Sequence, residues 1–211
     1  SLVGSEMCIR DRGMTHFEVG AIISAAHERM GVRGGAGVQF GEYTAFPHGS
    51  SKPQTLAEGD VVMMDGGCSV DGYRSDITRT VVFGKPTARQ RELWALERRA
   101  QDAARDAVRP GVACEAVDLA ARKVITDAGY GPGYEHFTHR VGHGIGLDGH
   151  EWTYLVQGNE TPLEPGMCFS NEPGVYVYGE FGVRLEDCFY VTEDGGQLFT
   201  QQSPSIDQPC L

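Results

Sequence analysis

Residues 56–59 read Leu-Ala-Glu-Gly and lead to Asp65, nine positions after the leucine. Residues 163–166 read Leu-Glu-Pro-Gly and lead to Glu172 at the same distance from their leucine. Self-similarity at a fixed spacing is the sequence signature of an internal repeat. The chain is therefore predicted to contain two copies of one folding unit, each with an acidic residue at the same point.

The duplication extends towards the start of each copy. Gly-Met-Thr at residues 13–15 opens an apolar-periodic stretch that runs to Gly31, and Gly-Val-Ala at 111–113 opens another that runs to Gly129. Both stretches have the spacing of an amphipathic helix, and the acids lie in or after apolar runs typical of strands. Each copy is thus predicted to be a helix–strand–strand unit.

A second acid follows the first in each copy, Asp76 after Asp65 and Glu186 after Glu172. Each copy also carries a histidine-bearing segment, around His48 in the first and over residues 143–150 in the second. A repeat that brings an acidic pair from each half to one centre is a good way to build a site for two divalent cations.

Composition sets the class of protein. The chain has 211 residues and is 40% hydrophobic, which is enough for one core, so one domain or two fused halves are expected. A net charge of −11 without a basic stripe argues against a nucleic-acid partner. No apolar run approaches the roughly 20 residues of a membrane span, so no membrane association is expected.

The cysteines and the start of the chain bear on location. Residues 1–12 lack the apolar segment of a secretory signal and are interpreted as a leader or a fragment end outside the native core. The cysteines are scattered without a C-x-x-C motif, which is typical of reduced thiols in a cytoplasmic protein. The six are Cys8, Cys68, Cys114, Cys168, Cys188 and Cys210.

Residue periodicity predicts the elements between these landmarks. Helices are expected over 14–30, 89–108 and 113–128, the first capped by Thr15 with Glu18 as its capping-box partner. A glycine-rich break is expected over 34–37, followed by an extended segment over 38–46. Strands are expected over 60–67, 73–83, 167–178 and 183–192, and the two halves are expected to share one sheet.

The proposed ligand set is Asp65, Asp76, Glu172, Glu186 and His143. Four carboxylates brought together repel strongly and would hold protons unless cations balanced them. Two divalent ions supply that balance, and they lower the pKa of a bridging water towards neutrality. The donors are rich in oxygen and lack thiolate, which favours Mn²⁺, with Co²⁺ or Zn²⁺ as alternatives.

Three further histidines are candidates for contacts beyond the metals. His48 and His150 could donate hydrogen bonds to an oxyanion or position a substrate, although a loop histidine after Pro47 is an equally good interpretation of His48. His139 lies four residues before His143, but its glycine-rich surroundings argue against a helical metal pair.

These motifs together resemble the Xaa-Pro peptidases, the aminopeptidases and prolidases of the "pita-bread" metallopeptidase group, and the resemblance covers residues 13 to 206. Methionine aminopeptidases share the fold and the ligands, but the motifs around Glu172 and Glu186 look more like the Xaa-Pro branch. The motifs are MDGG at 64–67, YRSDITRT at 73–80, GHGIGL at 142–147, HE at 150–151, NEPGVY at 171–176 and GVRLED at 182–187.

The resemblance implies a role for each matching residue. Asp65 would chelate one metal, His143 and Glu172 would bind the other, and Asp76 and Glu186 would bridge both. Glu172 could also shuttle a proton. His48 and His150 would contact the substrate and the tetrahedral intermediate. Arg184 would orient a carboxylate through a charge-assisted hydrogen bond, and His139 would be a further active-site histidine.

The resemblance also implies the fold and the activity. The fold would be α+β, with a curved, mainly antiparallel sheet covered by outer helices and an internal pseudo-two-fold repeat. Residues 13–206 would form the catalytic domain, without the N-terminal domain that such peptidases usually carry. The reaction would be hydrolysis of the bond between an N-terminal residue and proline by a metal-bridging hydroxide. The substrate would be a dipeptide or longer peptide, and the full-length protein would be a homodimer.

Other functions stay open from the sequence. The alternative within the same fold is a methionine aminopeptidase. The alternative outside enzymes is a catalytically silent pseudo-peptidase that acts as a binding module. A non-peptide substrate, such as an organophosphate, would be a side activity.

Overall fold

The computed structural model describes residues 12–208, so the expected leader lies outside the described residues except for Arg12. Three helices and eleven strands follow one another in this part of the chain. None of these helices has the length and apolar character that crossing a membrane requires. Every named strand pairs with its neighbours in the antiparallel sense, as expected.

The first half begins with a capped helix. The Thr15 hydroxyl accepts a hydrogen bond from the Glu18 N–H, and the Glu18 carboxylate accepts one from the Thr15 N–H, which confirms the predicted capping box. A short 3₁₀ helix (Gly41–Ala45) follows the first strand. The elements are α1 (His16–Arg29), β1 (Arg33–Phe40), β2 (Val61–Val70), β3 (Tyr73–Arg74) and β4 (Ile77–Val82).

The second half begins with two helices that pack on each other and ends in seven strands. The helices are α2 (Ala88–Ala107) and α3 (Cys114–Asp127). The strands are β5 (Gly142–Gly144), β6 (Glu151–Leu155), β7 (Cys168–Asn171), β8 (Gly174–Val177), β9 (Phe181–Arg184), β10 (Asp187–Thr192) and β11 (Gly195–Leu198).

The predicted glycine break over 34–37 is wrong, because these residues form the middle of β1. Gly35 pairs with Gly67 and Ala36 with Gly66 of β2. A Cβ atom added at Gly66 would lie 2.1 Å from the Gly35 carbonyl oxygen. The glycines therefore permit a close approach of two strands instead of ending one.

The expectation of one shared sheet is wrong at the level of strand pairing. In the part of the chain that the structure describes, β1–β4 form one sheet, β5, β6, β7, β10 and β11 form a second, and β8 and β9 pair alone. The predicted long strands over 167–178 and 183–192 are each split in two, at Glu172 and at Glu186. The halves meet where the Glu186 N–H donates to the Thr78 carbonyl at 3.1 Å.

Two apolar clusters hold the helices on the sheets. Val19 and Ile23 of α1 pack with Val62 and Met64 of β2 in the smaller cluster. The larger cluster joins α2 and α3 to the strands of the second half. Because side chains alternate along a strand, Asp65 points away from α1, towards the face that carries the site.

Candidate metal centre

The five proposed ligands come from five places in the fold and meet at one point. Asp65 lies within β2, Asp76 precedes β4, His143 is the central residue of β5, Glu172 follows β7, and Glu186 separates β9 from β10. In three of these five positions the residue occupies the end of a strand or a gap between strands. The strand breaks that the sequence did not predict are therefore the places where the acids turn into the centre.

The ligand atoms lie within coordination reach of one another. One atom each from Asp65, Asp76 and Glu186 falls within a 4.8 Å group, and so does one atom each from His143, Glu172 and Glu186. Glu186 belongs to both groups, which places it between two candidate ion positions. Because each divalent ion prefers several oxygen or nitrogen donors, the two groups could hold one ion each.

His143 presents one ring nitrogen to the acids. Its Nδ1 lies 3.0 Å from the Gly144 carbonyl oxygen, which accepts a hydrogen bond from that nitrogen. Its Nε2 lies 3.1 Å from Glu172 Oε1 and 3.8 Å from Asp76 Oδ2. A hydrogen bond from the far nitrogen to a carbonyl is the usual way to orient a histidine ligand, so His143 fits a metal.

Glu186 is the most buried of the four acids in the proposed ligand set, at 1% exposed. Its Oε2 accepts a hydrogen bond from the Thr78 hydroxyl at 2.8 Å. Its Oε1 is buried and has no hydrogen-bond partner among the described residues. An unpartnered buried carboxylate oxygen is costly, and a cation is the natural partner that would satisfy it.

The crowding of the acids shifts their pKa values. Burial, and then the charges of Asp65 and Glu172, raise the pKa of Asp76 to about 7. Burial and the neighbouring acids Glu172, Asp76 and Asp65 raise the pKa of Glu186 well above its ordinary value. Two cations would relieve this repulsion, which is the second reason that the donor set fits metals.

Glu172 and His143 behave as a pair. Burial acts to raise the pKa of Glu172, but His143, His139 and Arg184 outweigh it and lower that pKa. Burial acts to lower the pKa of His143, but Glu172 and the Gly144 carbonyl outweigh it and raise that pKa. Ser170 adds to the arrangement, because its hydroxyl donates to Glu172 Oε1 at 3.1 Å.

Arg184 lies beside the acids on β9 and contacts four groups. Its Nη2 donates to Asp65 Oδ2 at 2.5 Å, and its Nε donates to the Thr78 hydroxyl at 3.2 Å. Its Nη1 donates to the Tyr176 hydroxyl at 2.9 Å and to the Pro47 carbonyl at 3.2 Å. The guanidinium thus connects Asp65 to the loop that carries His48.

His139 contacts the residues around the centre, and its hydrogen bonds are not made to the proposed ligands. Its Nε2 is 2.8 Å from the Tyr176 hydroxyl, and its Nδ1 is 2.8 Å from the Arg140 carbonyl oxygen. Burial lowers the pKa of His139 to about 4, so the ring is neutral at physiological pH. His139 is not among the groups that the structure places within metal-binding reach of one another.

The two histidines expected to contact substrate occupy different positions. The His150 ring centroid lies 3.9 Å from that of His143, and one His150 nitrogen falls within a 4.8 Å group with Asp76 and His143. Burial, and then the charge of His143, lower the pKa of His150. His48 is exposed in the loop after the 3₁₀ helix, and its proximity is one of the lesser causes that lower the pKa of His139.

Sequence reasoning missed the residues that hold the ligands. Thr78, Ser170 and Tyr176 each hydrogen bond to a ligand or to Arg184. Thr78 and Tyr176 lie inside the motifs quoted above, so the motifs themselves are the available signal. A threonine or tyrosine in a strand is too common to be singled out without the pairing that brings it to the site.

The comparisons with known proteins agree with this geometry. Residues 4–193 match the model of Metallopeptidase family M24. The Xaa-Pro dipeptidase of Lactobacillus helveticus is 49% identical over 169 residues, which are 80% of this chain and 45% of that protein. The chain thus spans about half the length of the curated relatives that it matches.

Two solved structures give the fold independently. Dipeptidase PepE from Mycobacterium ulcerans has a TM-score of 0.85 at 43% identity, covering 90% of this chain and 52% of that chain. The prolidase from Pyrococcus furiosus has a TM-score of 0.87 at 35% identity, covering 95% of this chain and 59% of that chain. The expected α+β pita-bread fold is confirmed.

Proposed function

This chain belongs to metallopeptidase family M24, and we propose that it cleaves the bond between an N-terminal residue and proline in a short peptide. The observation that carries the proposal is the convergence of four carboxylates and His143 within 4.8 Å groups, with one buried oxygen of Glu186 that has no hydrogen-bond partner within residues 12–208. The relative from Lactobacillus helveticus is named an Xaa-Pro dipeptidase, which favours a dipeptide as substrate.

The ligand roles follow from the two groups of donors. Asp65, Asp76 and Glu186 would hold one divalent ion, and His143, Glu172 and Glu186 would hold the other, with Asp76 also within 3.8 Å of His143. The oxygen-rich donors favour Mn²⁺, with Co²⁺ or Zn²⁺ as alternatives. When bound, the ions would supply a water molecule of lowered pKa and positive charge for the scissile carbonyl oxygen.

The remaining residues act on protons and on the substrate. Glu172 would hold a proton and pass it to the proline nitrogen as the bond breaks, since its carboxylate faces the centre beside His143. His150, next to His143, would donate a hydrogen bond to the oxyanion. His48 would contact the peptide from the exposed rim, and Arg184 would keep Asp65 in place.

The wider setting of the reaction is also a proposal. The four described cysteines are all free, which supports a reducing compartment such as the cytoplasm. We infer a homodimer for the full-length protein, and neither a nucleic acid nor a membrane as partner.

The test is the turnover of an Asp76→Asn variant on Xaa-Pro dipeptides and tripeptides with added Mn²⁺. Loss of a metal ligand should reduce kcat by at least about 10³-fold, because the effect of a whole metal site is at stake. Asp71→Asn is the matched control, since Asp71 is exposed in a turn with a φ of 52° that asparagine tolerates.

Three outcomes would contradict the proposal. Full turnover by Asp76→Asn would exclude the bridging role of that residue. A preference for Met-Ala over Xaa-Pro peptides would indicate a methionine aminopeptidase. Binding of Mn²⁺ without cleavage of any peptide would indicate a pseudo-peptidase. Within the proposal, the ratio of dipeptide to tripeptide cleavage separates a prolidase from an Xaa-Pro aminopeptidase.

A further inference from the structure

We propose that the buried Asp118–Arg122 pair of α3 is a positioning device for the metal centre, an inference that rests on the proposed function. The pair holds the segment 129–141, which has neither helix nor strand and leads into β5. Through this segment it would fix His139 and the backbone of Glu172. None of the sequence motifs quoted above includes either residue of the pair.

Every donor of Arg122 is used. Its Nε donates a hydrogen bond to Asp118 Oδ2 at 2.9 Å, and its Nη2 donates one to Asp118 Oδ1 at 3.1 Å. Its Nη1 donates to the carbonyls of Gly133 at 3.0 Å and Phe137 at 2.8 Å, and its Nη2 donates to the carbonyl of His139 at 2.9 Å. A guanidinium has five N–H groups, so three of them are spent on one short segment of backbone.

The pair is sealed from water. Asp118 is fully buried and Arg122 is 4% exposed. The guanidinium carbon lies 4.0 Å from the ring centroid of Tyr134 and 4.2 Å from that of Phe137, so aromatic rings from the same segment cover it. Charge-assisted hydrogen bonds are stronger when water is excluded, so this buried pair is well suited to anchor the segment.

The anchor is connected to the centre by backbone hydrogen bonds. Asp118 Oδ1 accepts from the Val141 N–H at 2.9 Å, and the Val141 carbonyl accepts from the Glu172 N–H at 2.8 Å. Two bonds therefore separate a carboxylate on α3 from the backbone of a proposed metal ligand. Val141 also lies two residues before His143, so the same anchor sets where β5 begins.

A second connection runs through β8. The His136 carbonyl accepts from the Tyr176 N–H at 2.9 Å, and the Tyr176 hydroxyl contacts both His139 and Arg184. The segment 129–141 thus contacts the side of the centre formed by Glu172 and His143. Asp65, on β2 of the other half, is reached only indirectly, through Tyr176 and then Arg184.

The residue type is specific to this task. Lysine has three donors around a point charge and cannot reach two Asp118 oxygens and three carbonyls together. Arg122→Lys should therefore keep the charge but free part of the segment. Arg98→Lys on α2 is the matched control, because Arg98 also pairs four residues along its helix, with Asp102, and donates to a carbonyl outside segment 129–141, that of Ser203.

The first measurement is hydrogen–deuterium exchange of the metal-free chain. Arg122→Lys should speed exchange over residues 133–141 by about 10-fold or more, while Arg98→Lys should leave that segment unchanged. Tyr134→Leu removes one covering ring from an exposed position, so it should fold and give a smaller change in the same segment. Unchanged exchange over 133–141 in both Arg122→Lys and Tyr134→Leu would overturn the proposal.

The second measurement is a titration with Mn²⁺ that resolves the two binding steps. Loss of an outer contact to a metal ligand weakens the metal by about 10–100-fold. Arg122→Lys should weaken only one of the two ions to this degree and leave the other within about 3-fold. Equal weakening of both ions would indicate general destabilisation and overturn the proposal. Both readouts are independent of peptide cleavage, so failure of the proposed activity would be seen separately.

Discussion

A chain of hydrogen bonds with a fixed direction runs outward from Asp65. Arg184 can only donate, so the Tyr176 oxygen accepts from it, and the Tyr176 O–H is left to donate to His139 Nε2. His139 Nδ1 faces the Arg140 carbonyl and therefore carries the proton of the neutral ring. One tautomer of His139 satisfies the whole chain, and the low pKa of His139 keeps the ring neutral at physiological pH.

Removal of the Tyr176 hydroxyl should leave two buried partners incompletely bonded. We expect Tyr176→Phe to lower the free energy of unfolding by about 1–3 kcal/mol, the usual effect of an unsatisfied buried group. Affinity for Mn²⁺ should also fall, because Arg184 loses one of its contacts. Tyr190→Phe, at a partly exposed ring that packs on Phe199, is the control and should change stability by less than about 0.5 kcal/mol. Equal effects of the two changes would refute the role of the hydroxyl.

The raised pKa of Asp76 gives the metal-free chain a definite pH dependence. The folded-state pKa of about 7 exceeds the ordinary value of 3.8, so between these values the folded chain binds a proton that the unfolded chain has released. The resulting stability is fully present below about pH 4 and is lost as the pH rises through 7. Thermal unfolding of the metal-free chain should therefore show a Tm that falls between pH 5 and pH 8.

Metal binding should oppose this fall in Tm with rising pH. Because the ions take the place of the protons, the rise in Tm on adding Mn²⁺ should be larger at pH 8 than at pH 5. Asp76→Asn removes one titrating acid and should flatten the fall in Tm of the metal-free chain. A metal-free Tm that rises from pH 5 to pH 8 would contradict the assignment of Asp76 as a buried acid.

At the level of elements, the sequence predicted the helices well and the strands less well. The α1 cap was predictable because Thr15 and Glu18 are three residues apart, and such local signals need no tertiary structure. The convergence of the acids was predictable from the duplicated spacing. The break at Glu186 was not, because it depends on a hydrogen bond to Thr78, 108 residues away.

The glycines of β1 show the same limit. Four residues with three glycines look like a loop locally, and only the pairing with β2 reveals a strand. The supporting residues Tyr176 and Arg122 were missed for a similar reason, since their partners lie on other elements or on loop carbonyls. Sequence spacing thus predicts the duplicated helices and acids, whereas the strand boundaries and the supporting residues depend on contacts between distant parts of the chain.

The close approach of β1 and β2 can be tested at two glycines. Gly66→Ala would place a Cβ 2.1 Å from the Gly35 carbonyl oxygen, whereas Gly37→Ala would place one 3.7 Å from the Asp65 carbonyl oxygen. We expect a loss of at least about 3 kcal/mol for Gly66→Ala, because backbone must move, and less than about 1 kcal/mol for Gly37→Ala. Denaturant unfolding measures both. Equal stability of the two variants would show that the strands can separate without cost.

The whole molecule depends on how its two halves are joined beside the centre. Arg79 of β4 donates to Asp187 of β10 at 2.7 Å and to the Glu186 carbonyl at 2.7 Å. Asp187 is buried and also accepts from Gln101 of α2 and from Thr200. One ion pair thus connects the first sheet, the second sheet and a helix, immediately next to a proposed ligand of both ions.

Breaking this pair should therefore affect stability and metal binding together. Arg79→Met would leave Asp187 buried without its charge partner, at a cost of about 3–5 kcal/mol. The control is Arg91→Met, which removes an exposed pair with Asp207 and should cost less than about 1 kcal/mol. Unfolding curves give the stabilities, and a Mn²⁺ titration gives the affinities.

Because Glu186 lies in both donor groups, Arg79→Met should weaken the binding of both ions, whereas Arg122→Lys is expected to weaken the binding of one. Full Mn²⁺ affinity in Arg79→Met would mean that the acids keep their arrangement when the halves lose this pair, and that the Arg79–Asp187 pair serves stability alone.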